Sequence, residues 1–159
     1  MRQALKLLHE LGAIGVIGSL ATYGILVASA PVRAPAEYAA VRHGIAAISK
    51  WLLVPSLAVV LVTGLLAVAA HRPFLDARWV WVKALLGLSM FEGTLGAVAA
   101  NAQRGADLSA KALAAPVDAA MMADLVRSEW IGLLTIGVLS IANVVLGVWR
   151  PRLRRRDQK

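Results

Sequence analysis

Four long blocks of apolar residues, separated by shorter polar stretches, dominate the pattern along the chain. Each block has about 20 residues or more, which is the length that an α-helix needs to cross the hydrocarbon core of a bilayer. Backbone groups within lipid must be hydrogen-bonded internally, and a helix meets that requirement. The pattern therefore predicts an all-α bundle of four transmembrane helices in a single membrane domain of 159 residues, with spans over 7–30, 51–70, 79–100 and 130–149.

The second block is the end of a longer predicted helix. Pro35 suits the first position of a helix, and Glu37 suits the positive end of the helix dipole. A helix over 35–70 would be about 54 Å long at 1.5 Å per residue, so its first third should project from the bilayer or bend along its surface. Pro55 removes a backbone donor and crowds the preceding turn, which predicts a kink within the span.

Two other segments need a structural interpretation. The first block follows Arg2 and Lys6, as the apolar core of a signal peptide would, but its apolar run is longer and Pro31 follows it. We therefore expect a retained helix. The 101–129 loop should be helical, with Asp107 capping one short helix and Pro116 starting another that runs into the fourth span.

The chain is basic, and the positions of its charges predict an orientation. It has a net charge of +8, with ten Lys and Arg on the side of the two termini and the 71–78 loop and six on the opposite side. The positive-inside bias places both termini in the cytoplasm, in a membrane of the bacterial inner-membrane type. The basic tail 150–159 should contact anionic lipid. Because the charges border the apolar blocks, we expect no nucleic-acid partner.

Several ionisable or amide side chains fall within or next to the apolar blocks, where such groups are costly and are functional candidates by default. The topology brings most of them to the half of the bundle nearest the termini. Glu92 lies about 13–14 Å beyond Lys83 along its helix, near or past the midplane. The candidates for a cofactor site are His9, Lys83 and His71, and those for an intramembrane polar site are Glu10, Thr63, Glu92 and Asn143.

Each candidate also has a structural interpretation. His9 and Glu10 lie close enough to the interface to be solvated, and Lys83 has a stem long enough to reach the headgroups. Asn143 suits an interhelical hydrogen bond. Glu92 should be protonated, paired or facing a wet cavity.

The chain contains no cysteine, which excludes disulfides and thiolate chemistry. Its three histidines show no diagnostic metal-ligand spacing, so we expect no metal site. Small residues recur along one flank of the first and third blocks and predict close helix packing, either within the bundle or with another copy or subunit. These residues are Gly12, Gly15, Gly18 and Ser19, then Ser89, Gly93 and Ala97, and Gly96 with Ala100.

Three short segments carry a resemblance to known membrane proteins: residues 8–12 (LHELG), residues 51–55 (WLLVP) leading to Thr63-Gly64, and residues 81–83 (WVK). In this order they resemble a group of bacterial four-helix membrane proteins. That group includes an uncharacterised family of predicted integral membrane proteins. It is similar to the HemJ-type protoporphyrinogen oxidases and, more distantly, to the membrane domain of copper-resistance protein D. The resemblance covers roughly residues 5–105.

The resemblance implies roles for His9 and Lys83. The HemJ-type enzymes use a histidine of the first span and a lysine that follows tryptophan in the third, and haem has been implicated in their function. The chain departs from these oxidases within 17–26, where they have tryptophan and arginine, and at 91–94, where they have histidine. It resembles the uncharacterised family more closely, especially through residues 51–64 and 101–104.

These observations predict an integral inner-membrane protein of that uncharacterised family. Our first hypothesis is an accessory subunit of a larger membrane complex or a homo-oligomer, which requires no enzymatic activity. The alternative is a haem-linked redox protein related to the HemJ-type oxidases, with haem b held through His9 and Lys83. The second alternative is a small-solute or metal transporter with Glu92 at its centre.

Overall fold

The structure is a computed structural model that describes residues 2–70 and 78–149, and those residues are mainly helical. Two π-helical turns, Ser49–Leu53 and Thr94–Ala99, each join two α-helices end to end. The α-helices, in chain order, are α1 (Arg2–Ser29), α2 (Pro35–Ile48), α3 (Val54–Ala69), α4 (Arg78–Gly93), α5 (Ala100–Lys111) and α6 (Ala119–Trp149).

Four continuous helices within the described residues are long and apolar enough to cross a membrane, which confirms the predicted fold. We call them the first to fourth spans. The first is α1, the second is α2 with α3, the third is α4 with α5, and the fourth is α6. Their apolar ranges are Gln3–Ser29, Pro35–Ala69, Trp79–Lys111 and Ala119–Val148. The basic tail 150–159 and the 71–77 loop lie outside the described residues.

The second span begins at Pro35, as its sequence predicts, and runs unbroken to Ala69. The distortion expected at Pro55 takes the form of the π-helical turn that ends at Leu53. Proline has no N–H to donate and its ring crowds the carbonyl one turn earlier, so a wider turn before it relieves the conflict. The helix therefore continues through the proline instead of breaking.

The 101–129 segment is largely helical, but two details of its prediction are wrong. Asp107 lies inside α5, which continues the third span, and its carboxylate accepts a hydrogen bond from Gln103 Nε2 at 3.0 Å instead of capping a helix. The last helix begins at Ala119 and not at Pro116. Asp118 caps it, because its Oδ1 accepts the Ala120 N–H at 2.9 Å, and such a bond satisfies a donor that the first turn leaves unpaired.

Close packing explains several of the small residues. A Cβ atom at Gly15 would collide with the Ser56 side chain, and one at Gly12 would lie 2.8 Å from Val60. The first span therefore packs against α3 through its glycines. A separate contact joins α2 to α5. By contrast, Gly18 and Gly96 have no described atom within 4 Å of a Cβ position, so these two glycines are not used inside the bundle.

Candidate functional site

A cavity of about 500 Å³ opens between the four spans at the end of the bundle where the first span begins. Ligand pockets are typically of about this size, and they combine apolar walls with a few convergent polar groups. We call this space the His9 cavity. Its polar lining side chains come from all four spans, and they are Lys6, His9, Thr63, Lys83 and Asn143.

The ring of His9 is held in one orientation by the second span. His9 Nδ1 lies 3.1 Å from the Val60 carbonyl oxygen and 3.1 Å from Thr63 Oγ1. A carbonyl oxygen only accepts hydrogen bonds, so Nδ1 carries the proton and donates it. Thr63 uses its own hydroxyl proton on the Val59 carbonyl at 2.6 Å. In the neutral ring Nε2 then keeps its lone pair, which is the arrangement found in histidines that ligate a metal through Nε2.

Lys83 and Asn143 complete the polar side of the cavity. The Asn143 side-chain amide reaches the Lys83 carbonyl at 3.5 Å, so the third and fourth spans meet here. The Lys83 ammonium lies 2.6 Å from the position that a Cβ atom would take at Gly147. A glycine at this position of α6 thus makes room for the lysine side chain. Gly64 and Gly87 likewise keep the lining open beside His9 and Asn143.

The structure brings together four of the residues that the sequence singled out: His9, Thr63, Lys83 and Asn143 line one cavity. Glu10 and Glu92 are exposed and are not part of its lining. The remaining candidate, His71, lies outside the described residues. Sequence reasoning assigned no role in shaping this space to Gly64, Gly87 or Gly147, although each occurs at the same helix depth as the polar residues.

A second polar cluster, which sequence reasoning missed, lies toward the opposite end of the bundle. Arg42 forms a two-pronged ion pair with Glu129, with its two terminal nitrogens donating to separate carboxylate oxygens at 2.7 and 2.8 Å. The Tyr23 hydroxyl donates to the same carboxylate at 2.8 Å. Both charged side chains are at most 1% exposed. We call Tyr23, Arg42 and Glu129 the ion-pair cluster.

The ion-pair cluster depends on where the helices place each residue. Arg42 lies on the buried face of α2, three residues from both Ala39 and Ile45. A Cβ atom at Gly105 would overlap the Arg42 guanidinium, so the glycine on the facing side of α5 leaves the space that the guanidinium occupies. An arginine on the apolar face of an amphipathic helix was the available sequence signal.

The two clusters differ in what they can do chemically. The Glu129 carboxylate receives three hydrogen bonds from protein groups, so the ion-pair cluster is a closed structural contact. The His9 cavity is open space next to a histidine lone pair and a lysine. Among the described residues, no three His, Cys, Asp or Glu side chains gather as ligands for a metal ion. The His9 cavity is therefore the candidate site for a ligand.

Comparison with known proteins agrees with this architecture. Residues 3–151 match the model of a family described as predicted integral membrane protein (DUF2269). No curated protein and no solved structure matches the chain significantly. The match covers nearly the whole length, including all four spans and both polar clusters. The chain therefore belongs to the DUF2269 family of predicted integral membrane proteins.

Proposed function

We propose that the chain is a ligand-binding membrane protein, that the His9 cavity is its binding site, and that haem b is the ligand. The observation that carries the proposal is the hydrogen bond from His9 Nδ1 to the Val60 carbonyl, which leaves Nε2 as the donor atom of a fixed ring. Such orientation by a neighbouring carbonyl is what an axial histidine needs. This proposal takes up the haem-linked alternative that the sequence resemblance implies.

The other lining residues fit the same ligand. A porphyrin needs a largely apolar space, and the cavity of about 500 Å³ has mainly aliphatic, alanine and glycine walls. Lys83 supplies a positive charge at the cavity, which suits a ligand that carries carboxylate groups. A bound haem would supply one-electron redox chemistry, while His9 would hold it and the helices would exclude water.

The experiment is an absorption spectrum of protein purified in mild detergent after expression with haem supply. We expect a Soret band in the wild type and its loss in His9→Ala, because the alanine removes the donor. His43→Ala is the matched control, since His43 is an exposed histidine of α2 far along the chain from the cavity. A wild type without bound haem, or a His9→Ala variant with an unchanged spectrum, would overturn the proposal.

Two other hypotheses from the sequence receive less support from the geometry. A transport pathway centred on Glu92 would place that residue in the cavity, and Glu92 is not part of its lining. The accessory-subunit hypothesis predicts that gentle purification recovers the chain with other membrane proteins. Native mass spectrometry of the same preparation distinguishes a bound haem from a bound protein.

A further inference from the structure

Glu92 lies on the outer surface of the third span, outside the His9 cavity. Its side chain is exposed, and no described residue forms an ion pair or a hydrogen bond with it. The same face of α4 carries large apolar side chains that are also exposed, with Leu85 at 64% and Leu88 at 46%. These leucines show that the face is directed at lipid or at another transmembrane protein.

The depth of Glu92 makes this position unusual. Along the helix axis Glu92 lies about 20 Å from Trp79 and about 14 Å from Asn101, at a rise of 1.5 Å per residue. It is therefore near the middle of a hydrocarbon core about 30 Å thick. Ionisable residues at such depth almost always face the bundle interior or a wet cavity, because their polar groups need partners. A single copy of the chain supplies no such partner among its described residues.

We propose that this face is the contact between two copies of the chain, and that their Glu92 carboxyl groups hydrogen-bond to each other. Two copies inserted in the same direction are related by a two-fold axis along the membrane normal, which places Glu92 of each copy at the same depth. A neutral carboxylic acid carries both a donor and an acceptor, so it is complementary to itself.

The other candidate partner within a second copy does not fit. Lys83 lies nine residues earlier on the same helix, so in a parallel pair it is about 14 Å away in depth from Glu92. It also lines the His9 cavity of its own chain. Glu92 of the second copy is therefore the partner that lies at the correct depth, and the carboxyl pair needs no other residue.

The residues around Glu92 allow two helices to approach closely. Ser89 lies about one turn before Glu92 and Gly96 about one turn after it, and both are exposed. No described atom lies within 4 Å of a Cβ position at Gly96. Small residues at this spacing are typical of helix contacts in membranes, because they let backbones pack and side chains reach across.

The first test uses the absence of cysteine from the chain. A single cysteine introduced as Gly96→Cys should form a disulfide-linked dimer on mild oxidation in native membranes. Gly18→Cys is the matched control, because Gly18 is equally open but lies on the first span. We expect it to remain monomeric. No dimer from Gly96→Cys, or one no stronger than that from Gly18→Cys, would overturn the proposal.

The second test measures the dimer directly, by single-molecule photobleaching in vesicles of phosphatidylethanolamine and phosphatidylglycerol. Glu92→Leu should weaken dimerisation about tenfold, because it removes the hydrogen-bonded carboxyl pair and interhelical hydrogen bonds contribute about this much in lipid. Leucine suits a lipid-facing position, so this variant should still fold. Glu92→Gln should dimerise like the wild type, because an amide also carries a donor and an acceptor.

Three results would contradict the dimer. They are a wild type that is monomeric in these vesicles, a Glu92→Leu variant that dimerises as well as the wild type, and Gly96→Cys linking to a different protein. The last result would assign the face to a partner subunit instead of a second copy. None of these results depends on haem, so the proposed function stands or falls separately.

Discussion

The His9 cavity and the ion-pair cluster both gather polar side chains inside an apolar bundle. They differ in whether protein groups or open space surround those side chains. His9 and Tyr23 lie on the same helix, about 21 Å apart along its axis. At Tyr23 the helices close on a carboxylate that receives hydrogen bonds from two partners, and the charged groups are at most 1% exposed. At His9 they leave about 500 Å³ of space. One region holds the bundle together, and the other is available for a ligand.

This comparison predicts that variants of the two regions fail in different ways. Variants of the ion-pair cluster should lower the stability of the bundle, and variants of the His9 cavity should chiefly alter ligand binding. The stability of each variant can be measured by SDS titration of the protein in mild detergent.

Glu129→Gln should have the largest effect. It leaves the buried Arg42 charge without its partner, and breaking a buried ion pair in this way costs about 3–5 kcal/mol. The double variant Arg42→Met with Glu129→Leu should lose less, because it removes both charges. Glu37→Gln, which neutralises an exposed carboxylate at the start of α2, is the control and should lose less than about 1 kcal/mol, the value of a helix-dipole interaction at the surface. A double variant less stable than the single one would contradict the closed-contact interpretation.

Gly105→Ala should lower stability by about 2–3 kcal/mol, within the range for overpacking a core. The new methyl group would occupy the space of the Arg42 guanidinium and push it away from Glu129. Gly44→Ala tests the same chemical change where no described atom lies within 4 Å. It should be neutral or stabilising, because alanine favours helix. Equal losses in both variants would contradict the assigned role of the guanidinium contact, because helix propensity alone favours alanine at both positions.

Tyr23→Phe should lower stability by about 1.5 kcal/mol, as expected for a hydrogen bond to a charged group. The change removes only the hydroxyl that donates to Glu129, and the ion pair remains. Tyr38→Phe serves as the control, because Tyr38 contacts Arg42 through its ring, which phenylalanine keeps. A Tyr38→Phe loss as large as that of Tyr23→Phe would count against the assigned role of the Tyr23 hydroxyl.

Thr63→Val should change stability by less than about 1 kcal/mol, since valine has nearly the same shape and the Val60 carbonyl still accepts the His9 proton. Its effect should appear in the ligand, as a shifted or weakened Soret band, because His9 loses one of its two anchors. Thr22→Val is a suitable control on an exposed face of the same bundle. A large loss of stability without a change in the spectrum would make Thr63 a structural residue only.

Much of the fold follows from the sequence, because local signals determine it. The apolar blocks define the four spans, and Pro35 and Glu37 mark the start of the second one. The grouping of His9, Thr63, Lys83 and Asn143 also follows, since helix topology alone sets their depth. The Arg42–Glu129 pair does not, because its members are 87 residues apart and no local pattern links an arginine of the predicted second helix to a glutamate of the 101–129 segment. Only the three-dimensional packing of the helices shows that both charges are buried.

The π-helical turn at Ser49–Leu53 changes the direction in which the residues on its two sides point around the axis of the second span. A π turn holds one residue more than an α turn, and one residue corresponds to about 100° of rotation about the helix axis. The turn thus rotates the Arg42 half of the helix relative to the Thr63 half. Deleting one residue there would restore a regular α-helix and leave Arg42 and Thr63 in nearly their present relative orientation, because the wide turn accommodates one extra residue. Forcing the same residues into a regular α-helix without a deletion would instead turn Arg42 about 100° away from Glu129. The turn thereby sets the angular alignment of the two polar regions.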